Sequence, residues 1–287
     1  MTLRQRVTEA AGRLESAGLA REDAAQSVAM LARFVLGWTD ADWVARSREP
    51  AGEDFPARFD PLVERRATHE PVAYITRQRE FYGRPFIVTP DVLIPRPETE
   101  LVVDAALARP AAPARIIDVG TGSGCLAITL ALEFPSARVT ATDISGPALS
   151  VARANAARLG AIGRIEFRQA DLLGDGPHPR SPAFDLIVAN PPYIDPADRP
   201  SLPRDVADHE PAVALFAEQR GLAVIRALIG RAPGALAPGG TLLMEIGMGQ
   251  ATAVRDLVER TPGLTFIEIR PDLQGIPRVL VARAMGL

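Results

Sequence analysis

Apolar side chains recur at helical spacing near the start of the chain. Over residues 3–17, and again over residues 24–36, they return every three or four positions, which predicts two amphipathic helices. A third helix is predicted from Asp60 to about His69. The segment 47–61 is rich in proline and glycine, so we expect a loop with short turns there.

Residues 80–94 hold two short β-prone runs interrupted by glycine and proline, and this pattern predicts a β-hairpin. The next segment, Pro95-Arg-Pro-Glu-Thr-Glu, places a proline near a helix start and acidic side chains in the first turn, where the helix dipole favours them. We therefore expect an N-terminal helical domain over residues 1–75, a β-hairpin linker over 76–100 and a larger domain over 101–287.

From residue 101 onward, β-prone segments alternate with apolar helical segments. This alternation predicts an α/β fold with a parallel sheet covered by helices on both faces. Only residues 270–277 separate the last two segments, too few for a crossover helix, so this pair should be antiparallel and lie at one end of the sheet. The predicted strands are 115–119, 138–143, 164–169, 184–189, 240–246, 265–269 and 278–282.

Composition excludes several classes of protein. All 32 strongly basic side chains are arginine, and against 35 acidic ones they give a net charge of −3 in 287 residues, which weighs against a duplex-binding protein. A single cysteine, Cys125, excludes a disulfide framework and a multi-cysteine metal site. No uncharged stretch reaches the roughly 18 residues of a membrane span, and the first residues lack the apolar core of a secretory signal. We expect a cytoplasmic protein without a metal, nucleic-acid or membrane partner.

A glycine-rich turn follows the first strand of the predicted sheet. In Asp118-Val-Gly-Thr-Gly-Ser-Gly the glycines let a ligand approach the backbone closely, and the following helix offers unpaired N–H groups. Asp143 ends the next strand, where a carboxylate can accept both hydroxyls of a ribose. Asp171 and Leu172 close the third strand, in the position of an adenine contact. The predicted cofactor-binding residues are Gly120, Thr121, Gly122, Ser123, Gly124, Asp143, Asp171, Leu172 and Asn190.

This arrangement is shared by two classes of enzyme, which use a nicotinamide cofactor or S-adenosyl-L-methionine. The spacing Gly-x-Gly-x-Gly differs from the dinucleotide pattern Gly-x-Gly-x-x-Gly and favours a methyltransferase, as does the antiparallel end strand. Asp118 has two candidate roles, facing the amino group of the cofactor or bracing the turn. A nicotinamide oxidoreductase, or a non-catalytic nucleotide-binding module, would leave the next motif unexplained.

That motif is Asn190-Pro191-Pro192-Tyr193, at the end of the predicted strand 184–189. The two prolines restrict the backbone, so the loop presents carbonyl oxygens in a fixed geometry. The side-chain oxygen of Asn190 and the main-chain oxygen of Pro191 offer two acceptors for a planar –NH₂ group. Tyr193 offers a flat face for stacking. We predict that all four residues bind the substrate and that Asn190 and Pro191 are catalytic.

The chemistry expected at this loop is in-line methyl transfer to nitrogen without a general base. An amide nitrogen is a poor nucleophile because its lone pair is delocalised. Positioning can contribute about 7–11 kcal/mol to the reaction. The two acceptors then stabilise N–H groups that become more acidic as positive charge develops.

Over nearly its whole length the chain resembles the HemK/PrmC family of glutamine methyltransferases, which modify the side-chain nitrogen of the Gly-Gly-Gln glutamine in peptide-chain release factors. Besides the glycine-rich turn and the Asn-Pro-Pro-Tyr loop, the resemblance includes Pro71-x-x-Tyr-Ile-Thr, Glu80-Phe81, Leu93-Ile-Pro-Arg-Pro-Glu-Thr-Glu and segments between Glu210 and Leu222. Two residues depart from the family pattern. Arg77 stands where the family usually has glycine, and Leu172 where some members are aromatic.

The resemblance implies a Rossmann-like class I methyltransferase fold, with a seven-stranded sheet and a small helical domain that docks the release factor. It also implies that Gly120–Gly124, Asp143 and Leu172 contact S-adenosyl-L-methionine, that Asn190 touches both ligands, and that Asn190–Tyr193 hold the glutamine. The alternative is an amino-methyltransferase for adenine in DNA or for a base in RNA, since Asn-Pro-Pro-Tyr also occurs in DNA adenine methyltransferases. A base-flipping enzyme usually has a basic groove, whereas the extra domain in this chain is net acidic.

Overall fold

The computed structural model describes residues 1–174 and 184–285. The chain forms two compact units. The first contains Met1–Gln78 together with Pro203–His209, and the second contains Arg79–Leu202 together with Glu210–Leu287. The first unit is therefore built from two separate stretches of the sequence.

Helices form most of the first unit, and the second unit combines helices with strands. In chain order, the helices are α1 (Leu3–Ser16), α2 (Arg21–Leu36), α3 (Asp40–Arg46), α4 (Phe55–Ala67), α5 (Val72–Thr76), α6 (Glu100–Leu107), α7 (Cys125–Glu133), α8 (Gly146–Arg158), α9 (Arg204–His209), α10 (Ala212–Leu215), α11 (Ala223–Ala235) and α12 (Ala251–Glu259). The strands are β1 (Gln78–Phe81), β2 (Arg84–Ile87), β3 (Arg115–Val119), β4 (Arg138–Asp143), β5 (Ile165–Gln169), β6 (Phe184–Ala189), β7 (Leu236–Glu245), β8 (Leu264–Pro271) and β9 (Pro277–Ala284).

Helices α1 and α2 confirm the two amphipathic helices that the spacing predicts. A capping box starts α1, because Thr2 and Gln5 each accept a hydrogen bond from the backbone N–H of the other. Gly37, with φ +67°, ends α2 in the left-handed conformation that glycine tolerates. Both helices bury their apolar faces against α4, in a core that includes Leu14 and Leu31.

Helix α4 begins at Phe55, five residues before the predicted start, so the expected loop over 47–61 is wrong from residue 55 onward. Pro56 lies in the first turn of the helix, where its missing N–H costs nothing. Pro61 lies inside the helix and removes one backbone hydrogen bond. Burial of Phe55 and Phe59, whose rings stack with centroids 4.9 Å apart, offsets that loss. The short helices α3 and α5 were not predicted.

Strands β1 and β2 form the predicted β-hairpin. The turn between them has Tyr82 at φ +52° and Gly83 at φ +71°, and positive φ at both central residues is typical of the tight turns that match strand twist. The β-prone run that follows Pro90 does not form a strand. Further along, a 3-10 turn at Pro97–Thr99 leads into α6, near the predicted helix start.

The seven-stranded sheet of the second unit has the order β5-β4-β3-β6-β7-β9-β8. Strands β3 to β7 pair in parallel, while β9 is antiparallel to both β7 and β8, which confirms the predicted antiparallel pair at one end. Strand β7 begins four residues before its predicted start, because Leu236 pairs with Phe184 through an irregularity in the ladder. Two apolar cores cover the opposite faces of the sheet.

The parallel register brings the ends of three strands together. Val119 pairs with Thr142 and with Ala189, so β3, β4 and β6 end side by side. Open α/β sheets bind ligands at this carboxyl edge. In the described ranges, no helix combines the length and hydropathy that a membrane span requires.

Candidate active site

A cavity of about 290 Å³ opens at the carboxyl edge of β3, β4 and β6. It brings together most of the residues that the sequence singles out, although they come from four separate segments of the chain. Gly124 and Tyr193 are the predicted site residues that do not line it. The predicted residues that do are Gly120, Thr121, Gly122, Ser123, Asp143, Asp171, Leu172, Asn190, Pro191 and Pro192.

The glycine-rich turn is fastened to the neighbouring strand by its own backbone. Gly120 and Thr121 both donate their N–H groups to the carbonyl of Thr142, each over 2.9 Å. Gly124 has φ +83°, and a Cβ built on it would lie 2.9 Å from Cδ1 of Ile128. The backbone conformation and the close packing behind the turn both favour glycine at position 124.

Asp118 is a buried carboxyl group with one oxygen occupied and one free. Its Oδ2 accepts hydrogen bonds from the hydroxyl of Thr121 over 2.6 Å and from the N–H of Ala127 over 3.0 Å. Its Oδ1 is buried and has no partner among the described residues. Burial raises the pKa of Asp118 to about 7. Since Asp118 also lines the cavity, a ligand that carries a cationic amine would satisfy Oδ1 and favour the ionised form.

Asp143 is held at the end of β4 by two backbone donors. Gly122 donates its N–H to Oδ2 and Ser145 donates its N–H to Oδ1, each over 2.9 Å. A carboxylate has about four acceptor positions, so two remain for the hydroxyls of a ligand. The neighbouring Asp171 is more exposed, and its Oδ2 lies 3.7 Å from Nη1 of Arg231.

The Asn190–Tyr193 loop presents two free acceptors. Asn190 donates from Nδ2 to the hydroxyl of Thr99 over 2.9 Å, which directs its Oδ1 away from that contact. Within residues 1–174 and 184–285, neither Oδ1 of Asn190 nor the carbonyl of Pro191 accepts a hydrogen bond. The two acceptors belong to adjacent residues, and both residues line the cavity.

Tyr193 is not among the residues that line the cavity, and two hydrogen bonds anchor it at the end of the loop. Its hydroxyl donates to Oε1 of Glu245 over 3.1 Å, and its carbonyl accepts from Nε2 of Gln250 over 3.0 Å. A Cβ on Gly247 would lie 3.0 Å from Cδ2 of the Tyr193 ring, so this ring edge packs against the backbone after β7. These contacts involve the hydroxyl, the carbonyl and one edge of the ring, so stacking of a substrate on the face of Tyr193 stays a prediction.

Cys125 lines the cavity but carries no nucleophilic chemistry. Burial raises the pKa of its thiol to about 12, so the group stays neutral near pH 7.

Comparison with known proteins identifies the family. A model of the PrmC N-terminal domain matches residues 5–76, and a model of the methyltransferase small domain matches residues 98–202. The release factor glutamine methyltransferase of Koribacter versatilis is 43% identical over 285 residues, 99% of each chain. That of Neisseria gonorrhoeae is 46% identical over 256 residues, 89% of this chain and 92% of the relative. The chain belongs to the release factor glutamine methyltransferases.

Solved structures confirm the class I methyltransferase fold of this family member. The hMettl16 catalytic domain, in complex with MAT2A 3'UTR hairpin 1, is similar with a TM-score of 0.57 and 16% identity, over 78% of this chain and 80% of that chain. A methyltransferase from Pyrococcus furiosus is similar with a TM-score of 0.53 and 15% identity, over 81% of this chain and 100% of that chain. At such identities the likeness shows the fold alone.

Both departures from the pattern of release factor glutamine methyltransferases adopt left-handed backbone conformations. Arg77 ends α5 with φ +59°, and Leu172 lines the cavity with φ +53°. A side chain at such a position costs roughly 1–2 kcal/mol relative to glycine. At Leu172 the strained backbone is held by Thr142, whose hydroxyl donates to the Leu172 carbonyl over 2.8 Å.

Sequence reasoning missed two buried polar residues of this glutamine methyltransferase, Thr99 and Glu245. Glu245 is a charged residue at the end of the apolar run Leu242-Leu-Met-Glu-Ile, and that contrast is a signal the sequence does contain. Thr99 lies within the Pro95-Arg-Pro-Glu-Thr-Glu segment, which helix-start chemistry alone can explain. Nothing local in the sequence indicates that Thr99 lies beside the Asn190–Tyr193 loop.

Proposed function

We propose that this protein transfers a methyl group from S-adenosylmethionine to the side-chain nitrogen of the glutamine in the Gly-Gly-Gln motif of peptide-chain release factors. The observation that carries the proposal is the pair of free acceptors, Oδ1 of Asn190 and the carbonyl of Pro191, beside the glycine-rich turn. A primary amide has two N–H donors in one plane, and two fixed acceptors match them. The names of the curated relatives support a release factor as the substrate.

The residues that would hold the cofactor fit its chemistry. Oδ1 of Asp118 suits the cationic amino group, and the remaining acceptor positions of Asp143 suit the ribose hydroxyls. Asp171 and Leu172 would contact the adenine, and the turn from Gly120 to Gly124 would contribute to holding the cofactor. When bound, S-adenosylmethionine supplies a methyl group that is already activated on a sulfonium.

Asn190 and Pro191 would perform the positioning on which the reaction depends. Their oxygens bind both N–H groups and hold the glutamine nitrogen in line with the donor, a contribution of about 7–11 kcal/mol in well-oriented reactions. As positive charge develops on nitrogen, the same two hydrogen bonds strengthen. The extra proton leaves to solvent after transfer, so no carboxylate has to act as a general base.

The helical residues Met1–Gln78 would dock the release factor, and the match of residues 5–76 to the PrmC N-terminal domain supports this part of the proposal. We further propose the division into a docking domain over 1–75, a linker over 76–100 and a catalytic domain over 101–287.

The same pair of acceptors also fits the amino group of adenine. The names of the curated relatives favour the amide of glutamine over the amino group of adenine. A labelling experiment separates the two substrates.

The experiment uses S-adenosylmethionine labelled in its methyl group, with release factor, duplex DNA and RNA offered in separate reactions. We expect label in the release factor alone. The variant Asn190→Ala should lose roughly 100-fold or more in kcat, the scale of losing one transition-state hydrogen bond, while its affinity for the cofactor falls much less. Label in nucleic acid alone contradicts the proposal.

A further inference from the structure

A buried chain of hydrogen bonds ties both ends of the Asn190–Tyr193 loop to one carboxylate. Glu245 ends β7 and is only 1% exposed. Its Oε2 accepts from the hydroxyl of Thr99 over 2.6 Å, and its Oε1 accepts from the hydroxyl of Tyr193 over 3.1 Å. Thr99, 2% exposed, accepts in turn from Nδ2 of Asn190.

While Glu245 is ionised, the proton count of this chain of hydrogen bonds fixes its direction. A threonine hydroxyl has one proton, and Thr99 gives that proton to Glu245. Thr99 can therefore only accept from Asn190, and the side-chain nitrogen of Asn190 must point toward Thr99. The side-chain oxygen of Asn190 is then left for a ligand.

Without the carboxylate of Glu245, the direction of these hydrogen bonds is no longer fixed. If Thr99 no longer donates to Glu245, its proton can go to Oδ1 of Asn190, and the amide of Asn190 can rotate by half a turn. The cavity would then meet –NH₂ where it now meets oxygen. An N–H group of Asn190 and an N–H group of the substrate amide would then face each other. A buried donor without an acceptor is unfavourable.

We propose that Glu245, acting through Thr99, is a positioning residue that sets which end of the Asn190 side chain faces the substrate. Glu245 is not among the residues that line the cavity, and its hydrogen bonds connect it to the loop through Thr99 and Tyr193. The catalytic consequence rests on the proposed function, because it assumes that the substrate donates N–H groups to Asn190. The orientation itself does not depend on that assumption.

The sequence offers a direct spectroscopic test of the orientation. Asparagine occurs only at positions 155 and 190, so selective ¹⁵N-asparagine labelling gives two side-chain amide pairs in the NMR spectrum of the full chain. Asn155 is fully buried and donates to the carbonyls of Ile87 and Ser123, which makes it an internal reference. One Asn190 proton should be protected from exchange by its bond to Thr99. We expect Glu245→Leu, which leaves the Thr99 hydroxyl without its acceptor, and Thr99→Val to lower this protection about tenfold or more, the effect of one lost hydrogen bond. Thr99→Ser should keep it.

Activity and recognition provide the second arm. Glu245→Leu and Thr99→Val should lower kcat on release factor about 10- to 100-fold and leave cofactor affinity within about twofold. Thr99→Ser should stay near the wild-type value, as should the control Glu133→Gln, which removes a carboxylate paired with Arg84 on another part of the chain. A rotated Asn190 amide offers a donor to the substrate. Glu245→Leu should therefore also bind a release factor carrying glutamate in place of the Gly-Gly-Gln glutamine more tightly, relative to glutamine, than the wild type does.

Each result has a distinct meaning. An unchanged Asn190 amide pair in both Glu245→Leu and Thr99→Val overturns the proposal. A loss of kcat in Glu245→Leu with no shift in the preference between glutamine and glutamate also overturns it. If the wild-type protein does not methylate release factor at all, the proposed function fails, while the exchange protection of Asn190 still decides its orientation.

Discussion

The hydroxyl of Tyr193 donates a hydrogen bond to Oε1 of Glu245 over 3.1 Å, deep in the second unit. Burial and the nearby carboxylate both raise the pKa of Tyr193, so the phenol stays protonated and acts as a donor. The bond joins the end of the Asn-Pro-Pro-Tyr loop to the end of β7. It makes Tyr193 a fixed anchor of the loop that carries the two acceptors.

Replacement of Tyr193 by phenylalanine should therefore reduce stability. The buried Oε1 of Glu245 would lose its partner, at a cost of about 1–3 kcal/mol in the free energy of unfolding. Tyr82→Phe is the matched control, because the Tyr82 hydroxyl donates to Asp104 over 3.0 Å in an exposed position and should contribute about 0.5 kcal/mol or less. Urea denaturation of both variants measures the difference. Equal losses of stability in the two variants would show that the contact with Glu245 contributes no more than the exposed contact with Asp104.

Cofactor binding should depend on the ionisation of Asp118. Its pKa is raised to about 7 by burial, so raising the pH from 6 to 7.5 converts the neutral acid into a carboxylate that attracts the cationic amino group. Affinity for S-adenosylhomocysteine, which has the same amino group, should rise over this interval. Asp118→Asn should bind roughly 10- to 100-fold more weakly at pH 7.5, the scale of a hydrogen bond to a charged group, and should lose the pH dependence.

Isothermal titration calorimetry in buffers of different ionisation enthalpy checks this prediction, because binding to wild-type protein should release protons near pH 6.5. The amino group of the ligand titrates at about 8, so the comparison with Asp118→Asn isolates the contribution of the protein. If the affinities of the wild-type protein and of Asp118→Asn depend on pH in the same way, the role of Asp118 in binding the cofactor is contradicted.

The glycines of the turn should differ in what they tolerate. Gly120→Ala meets no atom within 4 Å and carries only the cost of φ +72°, about 1–2 kcal/mol. Gly124→Ala carries a similar backbone cost and also brings Cβ to 3.2 Å from Cβ and 3.3 Å from Cα of Ala152. Because this backbone yields less readily than the end of a side chain, the contact adds about 1–3 kcal/mol of overpacking. Thermal unfolding of the two variants should rank Gly124→Ala as the less stable. The reverse order would contradict the packing described behind the turn.

Arg77→Gly should stabilise the protein. Arg77 has φ +59°, and glycine adopts this conformation without the steric cost of a side chain, so we expect a gain of about 1 kcal/mol in the free energy of unfolding. Gly83→Ala is the converse change at φ +71° with open space around Cβ, and it should lose a similar amount. Chemical denaturation measures both. A loss of stability in Arg77→Gly would mean that contacts of the arginine outweigh its backbone strain.

The parts of the fold that sequence could predict are those specified by local pattern. The strand Phe184–Ala189 and the loop after it could be predicted, because proline restricts its own backbone and that of the preceding residue. The start of α4 could not be predicted, because Pro56 and Pro61 indicate a loop until the burial of Phe55 and Phe59 is known.

The support of the site depends on contacts between distant segments. Thr99 lies 91 residues from Asn190 and 146 from Glu245, yet one hydroxyl connects them. No spacing rule relates such positions, because the sheet order decides which strand ends meet. For the same reason nothing local in the sequence indicates that the hydroxyl of Tyr193 meets a buried carboxylate, which the neighbouring strand supplies.

The two oxygens of Asn190 and Pro191 are proposed to direct methyl transfer to one amide nitrogen, and this is the central claim. The most direct measurement is tandem mass spectrometry of a release factor after incubation with the protein and S-adenosylmethionine. We expect a single methyl group on the side-chain nitrogen of the Gly-Gly-Gln glutamine, and no modified glutamine when Asn190→Ala replaces the wild-type protein. A methyl group on another residue, or full modification by Asn190→Ala, would contradict the claim.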